Sequence, residues 1–309
     1  MSTIACVFPG QGSQSVGMLA NMAEEYSLIE QTFQEASDSL GYDLWTLVQQ
    51  DADKLNQTHI TQPALLTASV ALWRVFQEQG AAKPEYLAGH SLGEYSALVC
   101  AGALDLADAV KLVEARGQFM QQAVPAGEGA MFAIIGLDDA EIKAQCERAA
   151  QSCGEVVAPV NYNSPGQVVI AGSTKAATAA AEGCKNAGAK RALPLSVSVP
   201  SHCALMKPAA LQLEALLQSV ELRTPSIAVV NNVDVRVESE PSKIKDALVR
   251  QLYCPVRWTE SVEFLADNGI DTLYEIGPGK VLTGLTKRID KSLGGMALNE
   301  AKHFEELDF

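Results

Sequence analysis

Apolar residues along this chain fall into two kinds of run. Short continuous stretches at Ile4–Phe8, Ile227–Val230 and Thr272–Ile276 read as strands buried on both faces. Between them lie longer segments whose apolar positions recur at helical spacing, through much of residues 18–80 and again at Lys243–Tyr253 and Thr259–Asn268. Thr61-Gln62-Pro63-Ala64 is expected to open the last of the early helices with proline in its first turn, and Gly80 to close it. Asp105, with Asp108 three residues on, reads as a capping-box-like start to a helix whose stripe is Val110, Val113, Gly117 and Met120. Strand alternating with helix predicts an α/β domain around a mainly parallel sheet covered on both faces.

Residues 126–198 follow a different order. Strand Ala130–Ile135 leads to helix Asp138–Gln151, with Asp138 and Glu141 at capping-box spacing. Strands Val156–Val160 and Gln167–Ala171 follow, joined by a loop at residues 161–166. An alanine-rich helix, Thr174–Ala187, closes at Gly188 before a last strand at Arg191–Leu195. This β-α-β-β-α-β order is the ferredoxin-like split pattern. The chain therefore divides into a large domain, residues 1–125 and 199–309, and a ferredoxin-like insert, residues 126–198, with a cleft between them as the favoured place for a ligand. The acidic tail after Asn299 is expected to fray.

Composition narrows the class. A chain of 309 residues, 48% hydrophobic, buries a large core, and no apolar run approaches the ~20 residues that span a bilayer. The first basic residue is Lys54, so the start lacks the positive region of a targeting sequence, and a cytoplasmic location is expected. Seven scattered cysteines, without a C-x-x-C pair, suit reduced structural thiols. The net charge of −14 argues against a nucleic-acid partner. Residues 1–150 hold 7 basic against 19 acidic residues, so the basic side chains concentrate in the second half. Lys185/Lys190/Arg191/Lys207 and Lys280/Lys287/Arg288 are either ordinary solvated surface or a docking patch for an acidic partner.

The chemistry-bearing stretch is residues 86–102. A short apolar piece runs through Gly89-His90-Ser91-Leu92-Gly93 into a helical pattern that stops at Gly102. That is the order of a nucleophile elbow on an α/β-hydrolase-like sheet, although so short a pattern also suits a plain turn. The elbow exposes Ser91 and turns the Leu92 N–H, an orphan donor at a helix N-terminus, toward a developing oxyanion. Gly10, Gly12 and Gly17 lack dinucleotide spacing; they suggest backbone brought close to a ligand, with Gln11 as a side-chain or N–H donor. Of four histidines, His59 and His303 lie in polar segments and His90 packs beneath the elbow, which leaves His202 as base or as a core residue. Arg116, at the edge of its helix's stripe, either meets a protein carboxylate or waits for one on a ligand.

Residues 9–14, 89–94, 161–167, 200–202 and 275–279 (Pro-Gly-Gln-Gly-Ser-Gln, Gly-His-Ser-Leu-Gly-Glu, Asn-Tyr-Asn-Ser-Pro-Gly-Gln, Pro-Ser-His and Glu-Ile-Gly-Pro-Gly) occur in order over nearly the whole chain. This series resembles the malonyl-CoA:acyl carrier protein transacylases of bacterial fatty-acid synthesis. The resemblance implies that Ser91 is the acylated nucleophile, His202 its base, Gln11 and Leu92 the oxyanion-hole amides, and Arg116 the grip on the malonyl carboxylate. It also implies that the main-chain carbonyl of Gln251, rather than an aspartate, orients His202. Malonyl-CoA and acyl carrier protein are the expected partners, without membrane or nucleic acid, as a monomer and without metal or redox cofactor. Two competing classes are a thioesterase, whose fold expects a late histidine that only His303 supplies, and a module that binds carrier protein without catalysis.

Overall fold

The computed structural model describes residues 3–197, 199–305 and 307. Its strands, in chain order, are β1 (Ile4–Phe8), β2 (Tyr86–Gly89), β3 (Gly129–Ile135), β4 (Val157–Ser164), β5 (Gln167–Ser173), β6 (Arg191–Pro194), β7 (Ala228–Val230), β8 (Thr272–Ile276) and β9 (Gly294–Leu298). Five of them form a sheet in the order β7-β2-β1-β8-β9 in which every pairing is parallel. Central β1 is buried along its whole length, and its side chains alternate between two cores. Ile4, Cys6 and Phe8 join Phe33, Leu65, Trp73 and Tyr95 on one face. Ala5 and Val7 join Ala88, Trp258, Val262 and Leu273 on the other. The expected α/β architecture is present, with β9 added at the edge.

The helix Thr58–Glu78 is buried on nearly every side from Thr58 to Phe76, so it lacks the polar face of a surface helix. It starts at Thr58, earlier than the sequence suggests, and Pro63 therefore lies inside it. Its first turn packs against the helix Leu106–Ala123 at Gly117, where a Cβ would stand 2.5 Å from the Cα of His59. Only a residue without a side chain lets the two backbones approach that closely. This contact places Gln62 on the first helix against Arg116 on the second.

The remaining four strands form a separate antiparallel sheet in the order β4-β5-β3-β6, which is ferredoxin-like topology. Helices Asp139–Cys153 and Thr174–Asn186 cover one face through Ile134, Ile142, Val168, Ile170 and Ala180. The other face carries Met131, Val169 and Ala171 and packs with Cys203 of the large lobe. Edge strand β4 is bulged at two places and bonds beyond its own sheet: Val256 N–H donates to Val160 O at 2.8 Å and Tyr162 N–H to Val256 O at 3.0 Å. Ser198, at the expected end of the insert, lies outside the described residues.

Local expectations needed correction at several points. The loop expected at residues 161–166 shrinks to Pro165-Gly166, because the bonds to β5 and Val256 keep the chain extended through Ser164. Asp105 does stand before a helix, yet its carboxylate binds Arg223 instead of capping. The segment after Asn299 is not all frayed: Ala301–Glu305 is helical, with Phe304 buried against Tyr26. Gly117→Ala should destabilise the protein by about 1–3 kcal/mol, because His59 is backbone and cannot swing aside. Urea unfolding checks this, and an unchanged midpoint would contradict the packing described.

Candidate active site

Ser91 sits between the end of β2 and the helix Leu92–Cys100 with φ 52° and ψ −107°, a conformation rarely tolerated by a residue with a side chain. The glycines around it are required by contact. A Cβ on Gly89 would lie 1.9 Å from the carbonyl carbon of Gly93, and one on Gly93 would lie 2.1 Å from Phe8 O. Two buried amides hold the strained peptide. Asn232 accepts from Ser91 N–H at 2.8 Å and donates to Gly89 O at 2.7 Å. Gln251 Nε2 donates to Ser91 O at 3.1 Å and to Glu94 Oε2 at 2.8 Å. Glu94 also accepts from Asn232 N–H at 3.0 Å; burial pushes its carboxyl up to about 7 despite those bonds and the Arg116 charge.

His202 Nε2 lies 2.8 Å from Ser91 Oγ, although 111 residues separate the two. On its other side, Nδ1 lies 2.6 Å from the main-chain carbonyl of Gln251. A carbonyl only accepts, so Nδ1 carries the proton and Nε2 turns its lone pair to the serine hydroxyl. His202 also has a left-handed backbone, φ 63°, pinned by its N–H donating to Leu252 O at 3.0 Å. Burial, with the Arg116 charge adding to it, lowers the imidazole to about 3, and the Gln251 carbonyl offsets only part of that. The ring is therefore neutral at physiological pH, as a proton acceptor must be.

Arg116 is almost wholly buried, and among the described residues no carboxylate lies within ion-pair distance of it. Of the two partners open from sequence, the protein carboxylate is thus absent. Neutral groups hold the guanidinium instead: Gln62 Oε1 accepts from one terminal nitrogen at 2.7 Å and Gln251 Oε1 from the other at 3.0 Å. The latter nitrogen also lies 3.3 Å from Ser91 Oγ, and the fork stands 5.3 Å from the Tyr95 ring centroid. Burial lowers its pKa without removing the charge.

Ser91, His202 and Arg116 open together into a cleft of about 590 Å³, counting its mouth, which Gln11 and Leu92 also line. Met131 and Asn161 of the smaller sheet, with Leu195 just after its last strand, line it too, so the cleft is bounded by the elbow and by the smaller sheet. Leu92 is the first residue of its helix, which leaves its N–H without an intrahelical acceptor. Gln11, also at the cleft, donates from its side chain to Thr58 Oγ1 at 3.3 Å. His90 packs against Trp258 and meets Asn163 at 2.8 Å, yet it also lines the cleft, so it does not lie wholly beneath the elbow as expected. Every candidate from sequence is brought to this one place. Sequence reasoning missed the parts in Gln62, Glu94 and Asn232. A polar residue on an all-round buried helix marks Gln62, and a position just past the carboxyl end of a parallel strand marks Asn232.

A serine elbow on a parallel sheet, with a neutral histidine and a buried cation at the nucleophile, defines an enzyme class that handles acyl groups. The chain belongs to the acyl transferase domain family, whose model matches residues 5–301. It is 65% identical over 301 residues to the malonyl CoA-acyl carrier protein transacylase of Salmonella typhimurium, covering 97% of both chains. An acyl carrier protein S-malonyltransferase from Vibrio cholerae superposes with a TM-score of 0.96 at 64% identity, over 98% of this chain and 99% of that one. A malonyl-transacylase solved in complex with its type II PKS acyl-carrier protein superposes with a TM-score of 0.97 at 60% identity, over 98% of each chain.

A histidine that takes the serine's proton must be neutral, and His202 stays neutral above its folded-state pKa. Labelling of Ser91 by a phosphonofluoridate should therefore stay level as pH falls through 6.5 and decline only toward about 3, within the range where the protein stays folded. Over the same interval the unfolded chain holds the extra proton, so His202 should make stability fall with acidification. A labelling rate that halves near pH 6.5 would contradict the buried, neutral base.

Proposed function

We propose that the protein moves a malonyl group from coenzyme A to the phosphopantetheine thiol of an acyl carrier protein, through a malonyl ester on Ser91. The observation that carries this reading is Arg116, a buried guanidinium 3.3 Å from Ser91 Oγ with neutral partners only at its terminal nitrogens. An acyl group on Ser91 that ends in a carboxylate meets a cation with no direct anionic competitor. An acetyl group leaves that cation without its partner. The names and folds of close relatives, one of them bound to a carrier protein, support the same reading.

In the first half-reaction His202 Nε2 takes the Ser91 proton as Oγ attacks the thioester carbonyl. The Leu92 and Gln11 N–H groups stabilise the oxyanion, a contribution of roughly 2.7–4 kcal/mol for one such donor in a comparable site. The Gln251 carbonyl steadies the imidazolium, which returns its proton to the departing coenzyme A sulfur. In the second half-reaction the carrier's thiol enters, His202 takes its proton, and the same steps run in reverse to release Ser91. Exchange between thioester and ester is balanced by this one proton and needs neither a metal nor a redox group.

The decisive test is intact-mass analysis after mixing the protein with malonyl-CoA or acetyl-CoA. A malonyl adduct should form on the native protein and be absent in Ser91→Ala. Arg116→Ala should lose about 10³-fold or more in kcat/KM for malonyl transfer while acetyl transfer survives. Free malonate released as fast as carrier protein is charged would instead favour the thioesterase class.

The carrier protein's approach rests on the basic residues beyond β8. Lys280 and Lys287 are exposed, and Gly279 packs beside Ser13, so this surface adjoins the loop that bears Gln11. Lys280→Glu with Lys287→Glu should raise the carrier's KM roughly tenfold at low salt and leave the malonyl-CoA half-reaction unchanged. Carrier kinetics insensitive to salt would remove the electrostatic guidance.

A further inference from the structure

Glu94 is a carboxyl group buried behind the active site that the mechanism above does not use. Its Oε2 receives two N–H groups, the Gln251 side chain at 2.8 Å and the Asn232 main chain at 3.0 Å. Both of those residues touch the elbow, Asn232 at Ser91 N and Gly89 O, and Gln251 at Ser91 O. The far end of the Gln251 amide, Oε1, accepts from Arg116 at 3.0 Å, and the same residue's main-chain carbonyl holds His202 Nδ1 at 2.6 Å. One glutamine thus connects the nucleophile's peptide, the base and the guanidinium.

A side-chain amide can stand either way round, and its surroundings decide. Around Nε2 are acceptors: Glu94 Oε2 at 2.8 Å, Ser91 O at 3.1 Å and Asn232 Oδ1 at 3.5 Å. Of these the Glu94 oxygen is closest. Turned over, the amide would present its NH₂ to the Arg116 N–H groups and its oxygen to the Glu94 carboxyl, donor against donor and acceptor against acceptor. Placing the acid one amide away from Arg116 has a second effect. Had the carboxyl paired with the guanidinium directly, a substrate carboxylate would have to displace it.

We propose that Glu94 is a positioning residue that fixes the orientation of the Gln251 amide, and through it aims Arg116 at the substrate carboxylate beside Ser91. The role rests on the malonyl-transfer reading. It concerns the contact made by one oxygen atom, so it separates from charge and from general packing. Glu94→Gln keeps chain length and can present the same acceptor oxygen. Glu94→Asp keeps the carboxyl and shortens the reach by one methylene, which withdraws the oxygen from Gln251.

The experiment measures Ser91 acylation by malonyl-CoA and by acetyl-CoA in the native protein and both variants, with folding checked by urea unfolding. Native protein that forms no malonyl adduct would count against the proposed function itself. Given a native preference, Glu94→Gln should retain the malonyl-over-acetyl ratio within about threefold. Glu94→Asp should lower it by about tenfold or more, chiefly through a raised KM for malonyl-CoA, since displacing a positioning group by about 1 Å costs on that scale. Glu94→Asp with the native ratio, or Glu94→Gln with the ratio lost, overturns the proposal, as does an equal slowing of both substrates in either variant.

Discussion

The peptide of Ser91 is held against its own conformational preference, and the rest of the site follows from how it is held. A side-chain-bearing residue at φ 52° and ψ −107° costs about 1–3 kcal/mol and persists only when its neighbours over-determine it. Here the neighbours are buried amides, Asn232 on the N–H and Gln251 on the carbonyl, and glycines that let β1, β2 and the following helix close around the turn. His202 repeats the pattern with its own left-handed backbone bonded to Leu252. Ser91 and His202, the proposed nucleophile and base, are therefore both placed by main-chain strain that the surrounding core absorbs.

Electrostatics adds a second constraint. A guanidinium buried this deeply needs compensation, and the structure supplies it through neutral oxygens and an acid at one remove rather than through an ion pair. The same positive charge contributes to keeping His202 unprotonated, after burial itself. On the proposed reading, Arg116 serves two ends with one charge: it favours a carboxylate-bearing acyl group and it keeps the imidazole unprotonated. A carboxylate next to His202 would have worked against the second by raising the imidazole's pKa, and a main-chain carbonyl fulfils the orienting task with less of that effect.

Much of this was legible in the residues. Continuous apolar runs identified β1 and β8, Gly89-His90-Ser91-Leu92-Gly93 identified the elbow, and the β-α-β-β-α-β order identified the small sheet. Positions that failed did so where tertiary bonds overrode local pattern. Asp105 has the right spacing for a cap but finds Arg223 instead, and residues 161–164 look like a loop yet are drawn into a bulged strand by Val256. Gln62, Glu94 and Asn232 left little local trace because their work is done across 54 to 157 residues of chain, by hydrogen bonds that no periodicity encodes.

The bulge in β4 carries one more implication. Because Val256 exchanges two hydrogen bonds with Val160 and Tyr162, the smaller sheet is sewn to the larger lobe along its edge as well as joined by the chain at its ends. Swinging that sheet outward about its termini would first have to unpick this seam, with Asn161 beside the reacting groups at the very stitch. Leu195, Val197 and Gln11 line the same cleft, and among the described residues no main-chain hydrogen bond ties Gln11 to either of the other two, so that part of the rim is free of any such stitch.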